Sequence, residues 1–172
     1  MELRFTRPSL RRLDLAGTEV LVAGMSTDER PLHGLAGLVD WRLCGKLSSA
    51  LGSGFASGRR GEVLMVPGRP KLPFDKVVLF GIGAVKEFNE HVYRVVVEQV
   101  LATLEGLRVR SAVVELPGRH FGAIAAERAA DILLELCAGR PEHDVWTLVD
   151  DAEAERAIAQ HLVQERRRQR HL

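Results

Sequence analysis

Gly81-Ile82-Gly83 is the stretch of this chain best placed to do chemistry. It follows an apolar run that reads as a strand, Lys76–Phe80, and precedes an amphipathic helical pattern. In that setting successive backbone N–H groups can cradle a phosphate. Glu87 and Glu90 argue against it, because they fall in the first turns of the following helix, where their charge repels an anion. The glycines also fall short of G-x-G-x-x-G and of G-x-x-x-x-G-K-S/T, so the plain reading is a tight turn with close helix–strand approach.

The remaining reactive side chains point to no familiar centre. His33, His91, His120, His143, His161 and His171 show no H-E-x-x-H or related metal-ligand spacing; most fall on expected wet helix faces or loops, and all six read as solvated surface side chains. Asp150-Asp151 is the one adjacent pair of aspartates, and it stands at a predicted helix start, where capping is its expected work. Cys44 and Cys137 lie among apolar helical neighbours and read as small buried hydrophobes, not as a disulfide or reactive thiols. A G-x-S-x-G elbow is absent, so serine hydrolase chemistry has no support.

The elements that must position these residues follow from hydrophobic period. Glu2–Phe5 reads as an edge strand and Glu19–Gly24 (EVLVAG) as a buried one. A polar loop follows at Ser26–Gly34. Leu35, Val39, Leu43, Leu47 and Leu51 then predict one continuous helix over 35–51. Gly52–Gly61 reads as a flexible turn region. Two strands, Glu62–Val66 and Lys76–Phe80, flank a connection with Pro67, Pro70 and Pro73, which removes ladder donors. A long helix is predicted from Glu87 to Leu107, a strand over Ser111–Leu116, a helix over Gly122–Ala138 and a strand over Asp144–Val149. Asp150 or Asp151 offers a cap to a last helix carrying Ala154, Ile158 and Leu162, with Glu153 at capping-box distance. Strand–helix alternation requires crossovers. The fold class is therefore α/β, a three-layer α/β/α sandwich on a mixed, mainly parallel sheet, with the mixed directions near the start.

Composition sets the outer bounds. The chain has 172 residues, 46% hydrophobic and 27% charged, the balance of one soluble globular domain spanning 1–172. Net charge is +1, so no global field steers it to nucleic acid or membrane. Arg4, Arg7, Arg11 and Arg12 near the start, and Arg166, Arg167, Arg168 and Arg170 in the tail, lack interleaved aromatics; nucleic acid is not an expected partner. Residues 164–172 are expected to form a frayed basic tail. No apolar run reaches the ~20 residues of a membrane helix, the start lacks a signal-peptide core, and a cytoplasmic location is expected.

A string of features in order resembles the amino-terminal, macro-domain-like domain of the leucyl (cytosol) aminopeptidases, the M17 family. These are EVLVAG at Glu19–Gly24, the Ser48-Ser49 pair, Gly61-Glu62, LFGIG at Leu79–Gly83, Glu87-Phe88-Asn89 and SAVVELPG at Ser111–Gly118. In that family two metals and the catalytic lysine and arginine belong to a separate carboxy-terminal domain, whose Asn-Thr-Asp-Ala-Glu-Gly-Arg signature does not occur here. The resemblance thus implies no catalysis, no metal and no cofactor in this chain. It implies a non-catalytic module acting through protein contact, either by self-assembly or by docking to a full-length aminopeptidase relative. The alternative is a small-ligand module for a nucleotide such as ADP-ribose, which related macro domains bind with loops at one end of the sheet. The resemblance would line that pocket with Met25, Ser26, Gly34, Gly37, Gly68, Gly81, Ile82 and Gly83.

Overall fold

A computed structural model describes residues 1–169. In chain order the elements are β1 (Glu2–Thr6), α1 (Leu10–Leu15), β2 (Val20–Ser26), α2 (Gly34–Arg42), α3 (Lys46–Gly52), β3 (Val63–Pro67), β4 (Lys76–Gly83), a 3₁₀ turn (Val85–Glu87), α4 (Glu90–Gly106), β5 (Ser111–Val114), α5 (Ala126–Cys137), β6 (Val145–Val149) and α6 (Ala152–Gln169). Among the described residues the strands form one sheet in the order β1-β6-β5-β2-β4-β3. Every neighbouring pair is parallel except β3 with β4. The antiparallel strand is therefore β3, at one edge of the sheet.

Alternation along the strands builds the layers. In β2 every residue is buried, as a strand covered on both faces requires. Leu21, Ala23 and Met25 join the core beneath α2 and α3, while Val20 and Val22 join the core beneath α4, α5 and α6. Tyr93, Val96, Val100 and Leu104 recur at helical spacing and bring α4 onto the second face. Each such side chain contributes about 1.5–3 kcal/mol by leaving water. Tyr93 is buried with its hydroxyl, which donates to Ala129 O at 2.7 Å. Among the described residues no helix is long and apolar enough to cross a membrane.

Several expectations are corrected. The helix over 35–51 is two helices, broken where Cys44 and Gly45 both adopt left-handed backbone (φ 58° and 80°). Asp40 makes the break stable. Its Oδ1 accepts from the amides of Leu47 (2.8 Å) and Ser48 (3.1 Å), and Ser48 Oγ donates to Oδ2. The next helix starts at Glu90, not Glu87, because Asn89 Oδ1 accepts from Val92 N at 3.0 Å. Asp151, not Asp150, caps α6, with Oδ1 2.8 Å from Ala154 N; Glu153 then stands one position short of a capping box. That helix runs on to Gln169, so residues 164–169, expected to fray, are helical. The rest of the expected tail, residues 170–172, lies outside the described residues.

Candidate functional site

The carboxyl ends of β2, β4 and β5 meet where the chain turns from one half of the sheet to the other. Open α/β sheets hold their ligands at such a switch point. Ser26 ends β2 fully buried, its Oγ accepting from Glu29 N at 2.9 Å. That bond curls the following loop back over the sheet. Glu29 thereby reaches His120, from the loop after β5, whose Nε2 lies 3.0 Å from Glu29 Oε1. Nδ1 of the same ring faces Glu115 Oε2 at 3.4 Å. The other Glu115 oxygen accepts from Leu35 N at 2.9 Å and so occupies the amino end of α2. Gly34 is required here: a Cβ would lie 2.7 Å from the His120 ring and 2.8 Å from Glu115 Oε1.

This largely covered row of carboxylate, imidazole and carboxylate is the main electrostatic feature of the strand ends. Burial pulls His120 toward the neutral ring, but Glu115 and Glu29 outweigh it and raise its pKa above the ordinary value. Exposed His33 adds a third partner, with Nδ1 3.3 Å from Glu29 Oε1.

The glycine stretch is engaged in a similar way. Gly81 to Gly83 are not a turn after the strand but the last residues of β4 itself. Gly81 N donates to Glu62 O at 2.8 Å, Gly83 N to Gly58 O at 2.9 Å, and Val85 N to Asp28 Oδ1 at 3.1 Å. The segment around Arg59 crosses so closely that a Cβ on Gly81 would lie 1.8 Å from Arg59 O. Glu62 holds this segment down, accepting from Ser57 N, Ser57 Oγ and Gly58 N at 2.7–3.0 Å. Partial burial works to raise the Glu62 pKa, but these bonds keep it below the usual carboxylate range. Residues 52–61, expected as a flexible turn, are thus pinned from both sides.

Of the eight residues assigned to the strand-end pocket, Met25, Ser26, Gly34, Gly81 and Gly83 come together. Met25 is buried in the core under α2, and Ile82 is buried on the opposite face. Gly37 sits inside α2, where a Cβ would meet Leu32 O at 2.5 Å. Gly68 follows β3 and bonds Asp75 O ahead of β4, at the other end of the sheet. Two histidines are not the solvated side chains expected. His120 is mostly buried, and His143 is buried with Nε2 3.0 Å from Glu105 Oε1. His161 is partly covered and pairs with Asp131 at 2.8 Å; His171 lies outside the described residues. Cys44 is exposed, contrary to expectation, with Lys71 Nζ 2.9 Å from its sulfur; Cys137 is buried. Asp150 binds Arg119, Nε to Oδ2 at 2.7 Å, which fastens the loop after β5 to the end of β6. Among the described residues no three His, Cys, Asp or Glu side chains group to hold a metal.

This arrangement has relatives. The profile of the cytosol aminopeptidase family, N-terminal domain, matches residues 20–139. A probable cytosol aminopeptidase of Pseudomonas aeruginosa (strain UCBPP-PA14) is 31% identical over 121 residues, covering 70% of this chain and 24% of that protein. The chain thus spans about a quarter of the length of such curated relatives. Among solved structures, a tomato leucine aminopeptidase mutant aligns over 94% of this chain and 35% of its own, with TM-score 0.62 and 15% identity. A Trypanosoma brucei macrodomain in complex with ADP-ribose aligns over 94% of this chain and 69% of its own, with TM-score 0.71 and 16% identity. These likenesses carry the fold, a macrodomain-like α/β/α sandwich, and the sequence match carries the lineage: the chain belongs to the cytosol aminopeptidase family, as its N-terminal domain.

Proposed function

We propose that this chain is a non-catalytic module of the aminopeptidase lineage that works in the cytoplasm through contact with other protein chains, either copies of itself or a full-length relative. The observation that carries this reading is the occupied state of the strand ends. Glu29, Glu115 and His120 fill the switch point, and the Gly81 and Gly83 amides are already bonded to Glu62 and Gly58. A ligand anion would have to displace one buried and one half-buried carboxylate and break main-chain bonds. Large apolar groups meanwhile stand in water: Trp41 is 74% exposed and Phe55 78%. Aromatic side chains of this kind anchor protein interfaces.

Light scattering across a concentration series, with capture of a full-length aminopeptidase on the immobilised chain, tests the reading. Self-association or retention of the enzyme supports it. A strict monomer that captures nothing overturns it, as does release of leucine from an amide substrate with added manganese or zinc. ADP-ribose is titrated alongside. At a hundred times its dissociation constant a ligand adds about 2.7 kcal/mol of stability, and a matching rise in melting temperature would replace contact with ligand binding.

A further inference from the structure

The sheet has two edges, and only one carries charge on its exposed strand residues. At β1 the exposed strand residues Glu2 and Arg4 form an ion pair (2.8 Å). Charge of that kind discourages pairing with another strand. At β3 the exposed residues are Val63 (40%) and Met65 (53%), and no residue from Val63 to Pro67 is charged. Among the described residues β3 pairs with β4 alone.

Hydrogen-bond phase says which groups point outward. Gly81 N donates to Glu62 O, and the register sets Leu64 opposite Leu79 and Val66 opposite Val77. Antiparallel strands alternate bonded and non-bonded pairs, so the even-numbered residues bond inward and Val63 and Met65 aim their N–H and C=O away from the sheet. Pro67 has the same outward phase, where its missing N–H removes no bond to β4. Val95 of α4 is also exposed on this side, one turn before Gln99, whose amide reaches Gly61 O at 2.9 Å just ahead of β3.

We infer that β3 pairs with β3 of a second copy of this chain, antiparallel about a two-fold axis, a proposal that rests on the protein-contact reading. The register sets Val63 opposite Met65 of the second copy and Met65 opposite its Val63, each pair exchanging two main-chain bonds. Pro67 then acts only as an acceptor, toward Gly61. A two-fold axis normal to the sheet keeps faces matched, so both Val63–Met65 pairs pack in one trough flanked by the two α4 helices. Arg60, held loosely by Glu87 at 3.8 Å, comes beside Gly68 of the second copy. With β3 capped, only the charged β1 edges are left outside, which favours a closed dimer over a growing fibre.

Sedimentation velocity tests the proposal on the wild type, Met65→Lys, Val63→Lys and, as a control beside the opposite edge of the sheet, Val163→Lys on α6. Expected are a concentration-dependent dimer for wild type and Val163→Lys, and at least about a tenfold weaker dimer for each β3 variant. Melting temperatures verify that all four are folded. Register is read from Cys44→Ser/Val63→Cys/Met65→Cys, which should form a covalent dimer on mild oxidation, whereas Cys44→Ser/Val63→Cys should not. A dimer that survives both lysine variants and fails to crosslink overturns the edge proposal and leaves protein contact standing. A wild type that stays monomeric also overturns it, and capture of the full-length enzyme then decides the broader reading separately.

Discussion

Replacing His120 by alanine tests the charge state of the largely covered row at the strand ends. The ring sits 3.0 Å from Glu29 Oε1 and 3.4 Å from Glu115 Oε2 and is only 11% exposed, so both contacts operate with little screening. A hydrogen bond to a charged group contributes about 1.5–3 kcal/mol. Removing the cation also leaves two carboxylates facing each other across the gap, so His120→Ala should cost about 3 kcal/mol where the ring is charged. For a domain of this size that lowers the melting temperature by about 6–12 °C. The folded pKa is raised, so the stabilisation is complete below the unfolded value of about 6.5 and is lost as pH rises through the folded value. The penalty should therefore be greatest near pH ~6 and shrink toward pH ~9. Urea unfolding of both proteins across that range, in a His33→Ala background because His33 shares Glu29, gives the difference curve. A penalty that is flat, or that grows with pH, would refute the idea of an imidazolium held between carboxylates.

Three more outcomes follow from particular contacts. Gly81→Ala sets a Cβ 1.8 Å from Arg59 O and should cost about 3 kcal/mol, with faster hydrogen exchange at Gly83 N as the loop from Gly58 to Arg60 lifts. Asp40→Ala removes the acceptor of Leu47 N and Ser48 N and should cost about 2 kcal/mol in chemical unfolding, the upper range for a lost helix cap. Iodoacetamide at neutral pH should label Cys44 and spare Cys137, whose thiol burial pushes up to about 11; equal labelling, read by mass spectrometry, would contradict that burial.

The sheet was legible because burial on both faces leaves a mark in sequence. EVLVAG and SAVVEL are apolar runs too short for helices, and both are central parallel strands. The spacing of Leu35, Val39, Leu43, Leu47 and Leu51 marks an inward stripe, and all five are buried in one core. It hid the break at Cys44-Gly45, because α2 and α3 lay the same face on the same sheet. Helix α1 escaped notice since six residues carrying one buried side chain, Leu13, have no periodicity to detect. The site was least visible of all. His120 meets Glu29 across 91 residues and His143 meets Glu105 across 38, so no local pattern marks either ring as buried. What makes glycine necessary at position 81 is equally invisible in sequence: the chain that crosses it comes from Arg59, and only tertiary structure brings them together.

Glu115 also decides how α2 responds to its surroundings. A tethered acceptor acts at an effective concentration of about millimolar or more, and this one is already seated on Leu35 N. Dissolved sulfate or inorganic phosphate must compete with an occupant that cannot diffuse away. The start of α2 is in this sense self-inhibited toward anions, and buffer composition should leave it unmoved.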